Sequence, residues 1–504
     1  MAQTDTVKPD LNEKSSSSVN SGAHEDVAVL ESQATFSKPK AWLSRLGDMG
    51  VEMRGVTPVP VEERVDMRFI NIFFVWFTMS TNLLPIITGM VGTMIFGIGL
   101  RDCSLLILFF SLVCTVPAAY FSTFGSRTGL RQMLHARYTF GYWLVSPITA
   151  LNLCTVAGFG IIDCVLGGST LSAVSAGKID VTAGVVIIAL VSMIVCFGGI
   201  KVLHQYERYS WIFALFAIII TAGIGGKHLS NQAVKPAAAP ATLVGFGGVV
   251  AGFLIPWAAM AADFSVYCDP SAGTLRIFAY TYAGLFVSTV PLMVLGAAIG
   301  GAASNIPAWS EGYAKYIVGG VLEAMLQPAG GFGKFVAVLL SLSVVGNLAA
   351  AMYSISLSFQ LLIPYFVRIP RVLFVVLYTV VAIPVAIAAA KSFFASLENF
   401  IYLIAYWSAG FVGVVAMEHF VFRKADCDSY NVADWNTPSK LPTGISAIGA
   451  IGIAFGLVVP CMSQVWYAGP LAKTTGDIGF EVALLLSPIL YYPLRTLELK
   501  YRGV

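Results

Sequence analysis

Beyond its first 65 or so residues the chain is a succession of long apolar runs separated by short polar connections. A helix that crosses the hydrocarbon layer needs about 20 mainly apolar residues. Twelve runs fit that pattern, at 69–98, 103–121, 143–168, 181–199, 210–226, 242–262, 277–301, 335–365, 372–390, 399–417, 445–463 and 479–494. The pattern therefore predicts an all-α polytopic membrane protein of about 12 transmembrane helices.

Two runs are interrupted. The first contains Asn82-Leu-Leu-Pro85 and then Gly89; the sixth contains Gly252-Phe-Leu-Ile-Pro256-Trp257. Proline removes a backbone donor and clashes with the preceding turn. Backbone freed at membrane depth has to face protein or a wet cavity. The interruptions stand five helices apart, and broken helices at matching places in two halves point to a transporter site between inverted repeats. A simple proline kink is the competing reading for either helix alone.

Composition removes the soluble alternatives. Hydrophobic residues make up 57% of the 504 and charged residues only 11%, against roughly 25% charged in soluble domains. Most of the chain has no aqueous surface to cover. The net charge of +3 identifies no acidic partner. The eight cysteines form no CxxC pair and mostly sit inside apolar runs, so they read as small buried hydrophobes. Residues 1–65, rich in Ser, Asp, Glu and Lys, lack the basic and apolar stretches of a signal peptide and read as a disordered cytosolic tail.

Basic residues orient the bundle. With the N-terminus inside, cytosolic connections carry eleven (Arg127, Arg131, Arg137, Lys201, Arg208, Arg276, Arg368, Arg371, Arg423, Lys424, Lys440) and outer connections eight (Arg101, Lys178, Lys227, Lys235, Lys315, Lys334, Lys391, Lys473). The tails add more to the inner side, and both termini are expected in the cytosol.

Polar residues inside the runs are the candidate chemistry. Asp163 lies within the third, where an acid costs about 2.5–3.5 kcal/mol at helix centre. Phe159, four residues earlier, shares its face. An aromatic plate above a polar group suits a flat ring with hydrogen-bonding edges, although a protonated structural acid and an ordinary packed ring are the plainer readings. Glu207, in His204-Gln-Tyr-Glu207-Arg208-Tyr-Ser-Trp211, reads as an interfacial charge paired with Arg208 or as a group lining an inner vestibule. Asn347 and Ser354 lie in the eighth run, where polar side chains also bridge helices. Asp263, at the end of the sixth, is expected to be solvated. His135 and His204 fall in cytosolic connections, which argues against a buried histidine metal centre. No Walker loop, HExxH or nucleophile elbow occurs in a plausible context, so no enzyme is expected, and no metal or cofactor.

Three segments carry a family resemblance. The connection Gly125-Ser-Arg127-Thr-Gly129-Leu-Arg131-Gln-Met133-Leu-His-Ala-Arg137-Tyr-Thr-Phe140-Gly141 resembles the cytosolic signature of the nucleobase–cation symporter-1 family. The segments His204–Trp211 and Ser354-Ile-Ser-Leu-Ser-Phe359-Gln360 are similar to its fungal purine–cytosine permease branch. The resemblance covers the chain from about residue 50 to the end. It implies a 5+5 inverted repeat of the leucine-transporter type over 66–417, two additional helices over 418–494, and a short cytosolic tail, 495–504. It also implies proton-coupled uptake of a heterocycle at the plasma membrane.

The resemblance assigns ligand contacts to Phe159, Asp163, Glu207, Trp257 and Asn347, with the first-helix polar pair among Thr78, Ser80 and Asn82. Glu207 or Asp163 would take the coupling proton. Three departures stand out: Phe159 where Trp is usual, the acid Asp163 where an amide is usual, and Ala350 and Ala351 where the eighth helix usually offers Pro and a second Asn. A lost hydrogen-bond partner shifts specificity by orders of magnitude, which points to an altered ligand preference, such as another heterocycle bearing an amine. A vitamin B6-like or secondary-metabolite carrier on the same fold, and a solute sensor that binds without transporting, are the alternatives.

Overall fold

The computed structural model describes residues 57–363, 365–366 and 369–502, without the side chains of 199–205, 207 and 208. Fourteen helices carry the architecture: α1 (Ile70–Ser80), α2 (Leu83–Met94), α3 (Leu100–Thr128), α4 (Val145–Val174), α5 (Val181–Phe197), α6 (Gly199–Gly225), α7 (Pro240–Leu254), α8 (Thr274–Ala303), α9 (Pro307–Leu326), α10 (Gly330–Leu362), α11 (Arg371–Ala390), α12 (Phe393–Met417), α13 (Ile445–Cys461) and α14 (Gly479–Arg502). Among the described residues nine helical segments are long and apolar enough to span a bilayer, and the bent pair α1–α2 makes a tenth. The other two predicted spans form α5 and α13, apolar helices of 17 residues each. The last helix runs on to Arg502, eight residues past the predicted boundary.

Both predicted interruptions are present. The axis bends by 52° between α1 and α2. Asn82 is fully extended there (φ −152°, ψ −169°) and caps α2, its Oδ1 accepting from the Leu84 N–H at 2.8 Å while its Nδ2 donates to the Met79 carbonyl at 2.8 Å. Pro85 falls in the first turn of α2, where a missing N–H leaves no intrahelical bond unmade. In the sixth span α7 ends at Leu254 and tightens into 3₁₀ turns over Ile255–Ala259 and Ala261–Phe264, with Met260 out of helical geometry between them.

Helix α4 packs along α10, and the bent α1–α2 unit packs along α8. The second contact is backbone on backbone: a Cβ built on Gly296 of α8 would lie 1.7 Å from the Ile86 carbonyl oxygen, and one on Gly89 would lie 1.9 Å from that of Met293. Small residues let membrane helices approach this closely.

Four features differ from the sequence-based expectations. Helix α9 lies in what reads as a polar connection; it bends at Tyr316–Ile317, where Ile317 takes φ 54°. Residues 1–56, most of the predicted tail, lie outside the described residues, but its last part is docked rather than disordered. The Val59 N–H donates to the Gly129 carbonyl, and the Arg64 guanidinium reaches the carbonyls of Ser126 and Arg127 at the end of α3, where orphan carbonyls favour a cation.

His135 is fully buried, its ring stacked on Phe124 with centroids 4.3 Å apart. Burial holds its imidazole well below the usual range. Among the described residues no group of three metal-ligating side chains forms. Asp263 is not solvated. Its Oδ1 accepts from the Gln132 N–H at 2.7 Å, and the Gln132 Oε1 accepts in return from the Ala262 N–H at 3.2 Å. Burial pushes its carboxyl up to about 6, against the opposing pull of Arg131 and the Gln132 N–H. Gln132 folds back on Ala262 and Asp263, and His135 packs between Phe124 and Tyr430, which takes these groups out of water.

Candidate functional site

The two interruptions meet α4 and α10 at one cavity of about 20 Å³, lined by Met79, Thr155, Val156, Phe159, Pro256, Trp257, Met260, Phe264, Asn347, Ala350 and Ala351. The local sequence sets the rings. The tight turns after α7 turn the Trp257 indole toward α4, where it lies within 9° of parallel to Phe159, centroids 6.2 Å apart. Trp76 of α1 braces Trp257 edge-on at 5.7 Å. Phe159 is flanked by two glycines. A Cβ on Gly158 would lie 2.0 Å from the Phe400 ring, and one on Gly160 would lie 2.3 Å from the Tyr378 hydroxyl. Those absences admit Phe400, which meets Phe159 at 90° and 5.2 Å, and Tyr378, whose hydroxyl donates to the Ala157 carbonyl at 3.2 Å.

The polar groups sit at one side. Asn347 lines the cavity, and its Nδ2 donates to Asp163 Oδ2 at 2.8 Å. Asp163 lies behind it, fully buried, with Oδ1 lacking a partner among the described residues. The Trp257 Nε1 is likewise buried without an acceptor. The Thr155 hydroxyl is already engaged, accepting from Trp407 Nε1 at 2.9 Å and donating to the Leu151 carbonyl at 2.9 Å.

Of the predicted site residues, the structure brings Phe159, Trp257 and Asn347 together on one cavity, with Asp163 joined through Asn347. Ser80 and Asn82 are placed at the break between α1 and α2, outside the cavity lining. Asn82 spends its amide on the break itself, whereas the Ser80 hydroxyl is buried without a partner. The Glu207 side chain lies outside the described residues; Tyr206 beside it faces α10, where a Cβ on Gly346 would meet its ring at 3.0 Å. Sequence reasoning missed Thr155, Met79, Met260 and Phe264. Thr155 was within reach of the helical period, being four residues before Phe159 on the face that continues to Asp163. Met79 and Met260 look like any apolar residue of a span.

Broken helices one and six meeting a packed pair of helices at a buried aromatic and amide cluster define a secondary transporter. Comparison with known proteins specifies which kind. Residues 58–482 match the family model for permeases for cytosine/purines, uracil, thiamine and allantoin, and the chain belongs to that family. The purine–cytosine permease fcyB of Emericella nidulans is 34% identical over 463 residues, covering 90% of each chain. The purine–cytosine permease FCY2 of Saccharomyces cerevisiae is 34% identical over 481 residues, 92% of this chain and 89% of that one. The vitamin B6 transporter TPN1 of the same yeast is 26% identical, covering 92% of this chain and 90% of its own.

Among solved structures the fold matches Mhp1, a nucleobase–cation–symport-1 family transporter, in its closed form with bromovinylhydantoin bound. The TM-score is 0.69 at 16% identity, covering 90% of this chain and 97% of the other. Its inward-facing form gives 0.67. The fold is therefore the five-plus-five inverted repeat of the leucine-transporter type, and the chain is a multi-pass membrane permease rather than an enzyme.

Proposed function

We propose that the chain takes up a purine, cytosine or a related heterocycle across the plasma membrane, coupled to a proton, with both termini in the cytosol. The observation that carries this reading is the parallel Phe159–Trp257 pair beside Asn347, where both broken helices converge. Two faces grip the plane of an aromatic ring and an amide reads its edge. The likeness to purine–cytosine permeases supports the nucleobase class. Asp163 or Glu207 takes the coupling proton, and rocking of one helix bundle against the other exposes the site to each side in turn.

One proton crossing about 100 mV supplies roughly 2.3 kcal/mol. One pH unit adds about 1.4 kcal/mol. Together these sustain several-hundred-fold accumulation at one-to-one coupling.

The test is uptake of labelled cytosine, adenine, guanine, hypoxanthine, uracil, allantoin and pyridoxine in cells lacking their own carriers. Saturable uptake of a nucleobase, abolished by a protonophore, is expected. Uptake indifferent to the ionophore would remove the proton from the mechanism. Uptake of pyridoxine with no nucleobase would move the chain to the vitamin B6 reading.

A further inference from the structure

The Asn347 amide has one hydrogen bond among the described residues, from Nδ2 to Asp163. A carboxylate only accepts, so the amide nitrogen has to face it while Asp163 is ionised; a protonated acid gains a donor and loses that constraint. With the acid ionised, the amide oxygen is the edge left to the cavity that Asn347 lines. An asparagine at position 163 would impose no such order. Its own amide either accepts from Nδ2 of Asn347 or donates to Oδ1, so Asn347 could turn either edge to the ligand.

The neighbouring Trp257 Nε1 is a donor without an acceptor among the described residues, and it supplies no second acceptor for an amine. Ala350 and Ala351 carry no polar side chain, and the Thr155 hydroxyl is spent on Trp407 and the Leu151 carbonyl. We propose that Asp163, when ionised, is a positioning residue that locks the Asn347 amide oxygen toward the cavity, and that the site therefore selects heterocycles that present an amine N–H to it. This deepens the transport reading above and rests on the same cavity.

The distinguishing ligands differ in that amine. Hydrogen replaces it in pyrimidin-2-one against cytosine and in purine against adenine. Pyridoxine carries a hydroxyl, itself a donor, where pyridoxamine has the amine, so that pair reads amine against hydroxyl. Both bases of each nucleobase pair keep the ring N–H, so its contribution cancels. Uracil and hypoxanthine, which hold a ring N–H beside a carbonyl, fall between.

Equilibrium binding to the purified full chain in nanodiscs measures this without requiring coupled transport. Leaving an acceptor without its donor costs about 1–3 kcal/mol, so the wild type is expected to prefer the amine-bearing nucleobase by about tenfold or more. Asp163→Asn is expected to bring the ratio to within about threefold by tightening the partner that lacks the amine, which a loss of structure would not do. Asn347→Leu, which keeps the size and removes the reading edge, flattens the ratio by weakening the amine-bearing partner.

A wild-type ratio near one overturns the proposal, and so does a ratio unchanged in Asp163→Asn. If that variant does not fold, the wild-type and Asn347→Leu ratios decide. Preference for pyridoxamine with no nucleobase bound would sink the nucleobase reading and leave the amide lock standing. Binding of no compound in any pair would sink both.

Discussion

The planes of Phe159 and Trp257 can be no farther apart than their centroids, 6.2 Å. A ring held between them needs two contacts of about 3.5 Å each, so the pair has to open by about 1 Å to admit a ligand. With a cavity of about 20 Å³, the described conformation is closed around its site. Trp257 stands on the tightly turned segment after α7 and Phe159 on a continuous helix, so movement of the former opens the gap. Trp257→Ala is expected to weaken substrate binding about 10- to 100-fold, the scale of about 1–3 kcal/mol found for stacking one base on an aromatic ring. Uptake kinetics check it, and an unchanged KM would show that the ring does not touch substrate.

Asn82 serves the break rather than the ligand. Its Oδ1 caps α2 and its Nδ2 satisfies the Met79 carbonyl. Loss of a cap costs about 0.5–2 kcal/mol, and the orphaned carbonyl adds to it. Asn82→Ala is expected to lower the thermal unfolding temperature in detergent and to reduce uptake rate. Asn82→Asp, which keeps the accepting oxygen, should be intermediate. A variant with wild-type stability and a raised KM would return Asn82 to the ligand.

The architecture was legible in the sequence where physics leaves little choice. Hydrocarbon thickness sets the length of a span, and Asn82, Pro85 and Pro256 announced the breaks by their effect on the backbone. Phe159 and Asp163 were legible through helical period and the cost of a buried acid. Long-range apposition was not. Nothing local says that Asn347, 184 residues on, will hold Asp163, or that Gln132 will fold back to meet Asp263, 131 residues away. Helix α9 escaped for a different reason. Its residues are too polar on average to read as a span, and its bend at Ile317 interrupts any regular pattern.

Asp263 gives a pH signature. Its carboxyl titrates near 6 in the folded protein, above the ordinary 3.8. The folded state therefore holds the proton more tightly than the unfolded chain. The resulting stability is fully present below about pH 4 and is lost as pH rises through 6. The difference between the two ends is on the order of 3 kcal/mol. Asp263→Asn keeps an oxygen for the Gln132 N–H and cannot ionise. The stability difference between wild type and variant should therefore change between pH 4 and 7, the wild type losing ground as pH rises. Parallel thermal unfolding curves across that range would place the group in water after all.

Gly296 and Gly89 set the distance between the broken first span and α8. The Cβ of an alanine at Gly296 would lie 1.7 Å from the Ile86 carbonyl oxygen, inside any permitted contact, and the obstacle is backbone rather than a mobile side chain. One of the two helices then has to move. Overpacking of this kind costs about 1–3 kcal/mol or more, and here it falls on the element that carries Asn82 and the break. Gly296→Ala is expected to reduce the amount of folded protein at the membrane and to lower the uptake rate of what remains. Gly89→Ala should do the same, since its Cβ meets the Met293 carbonyl at 1.9 Å. Gly452 of α13, where a Cβ meets nothing within 4 Å, supplies the control, and Gly452→Ala is expected to be neutral. Fluorescence-detection size-exclusion chromatography together with uptake per folded molecule separates the three. Equal behaviour of Gly296→Ala and Gly452→Ala would mean that α8 and the broken span are not held in the close contact described.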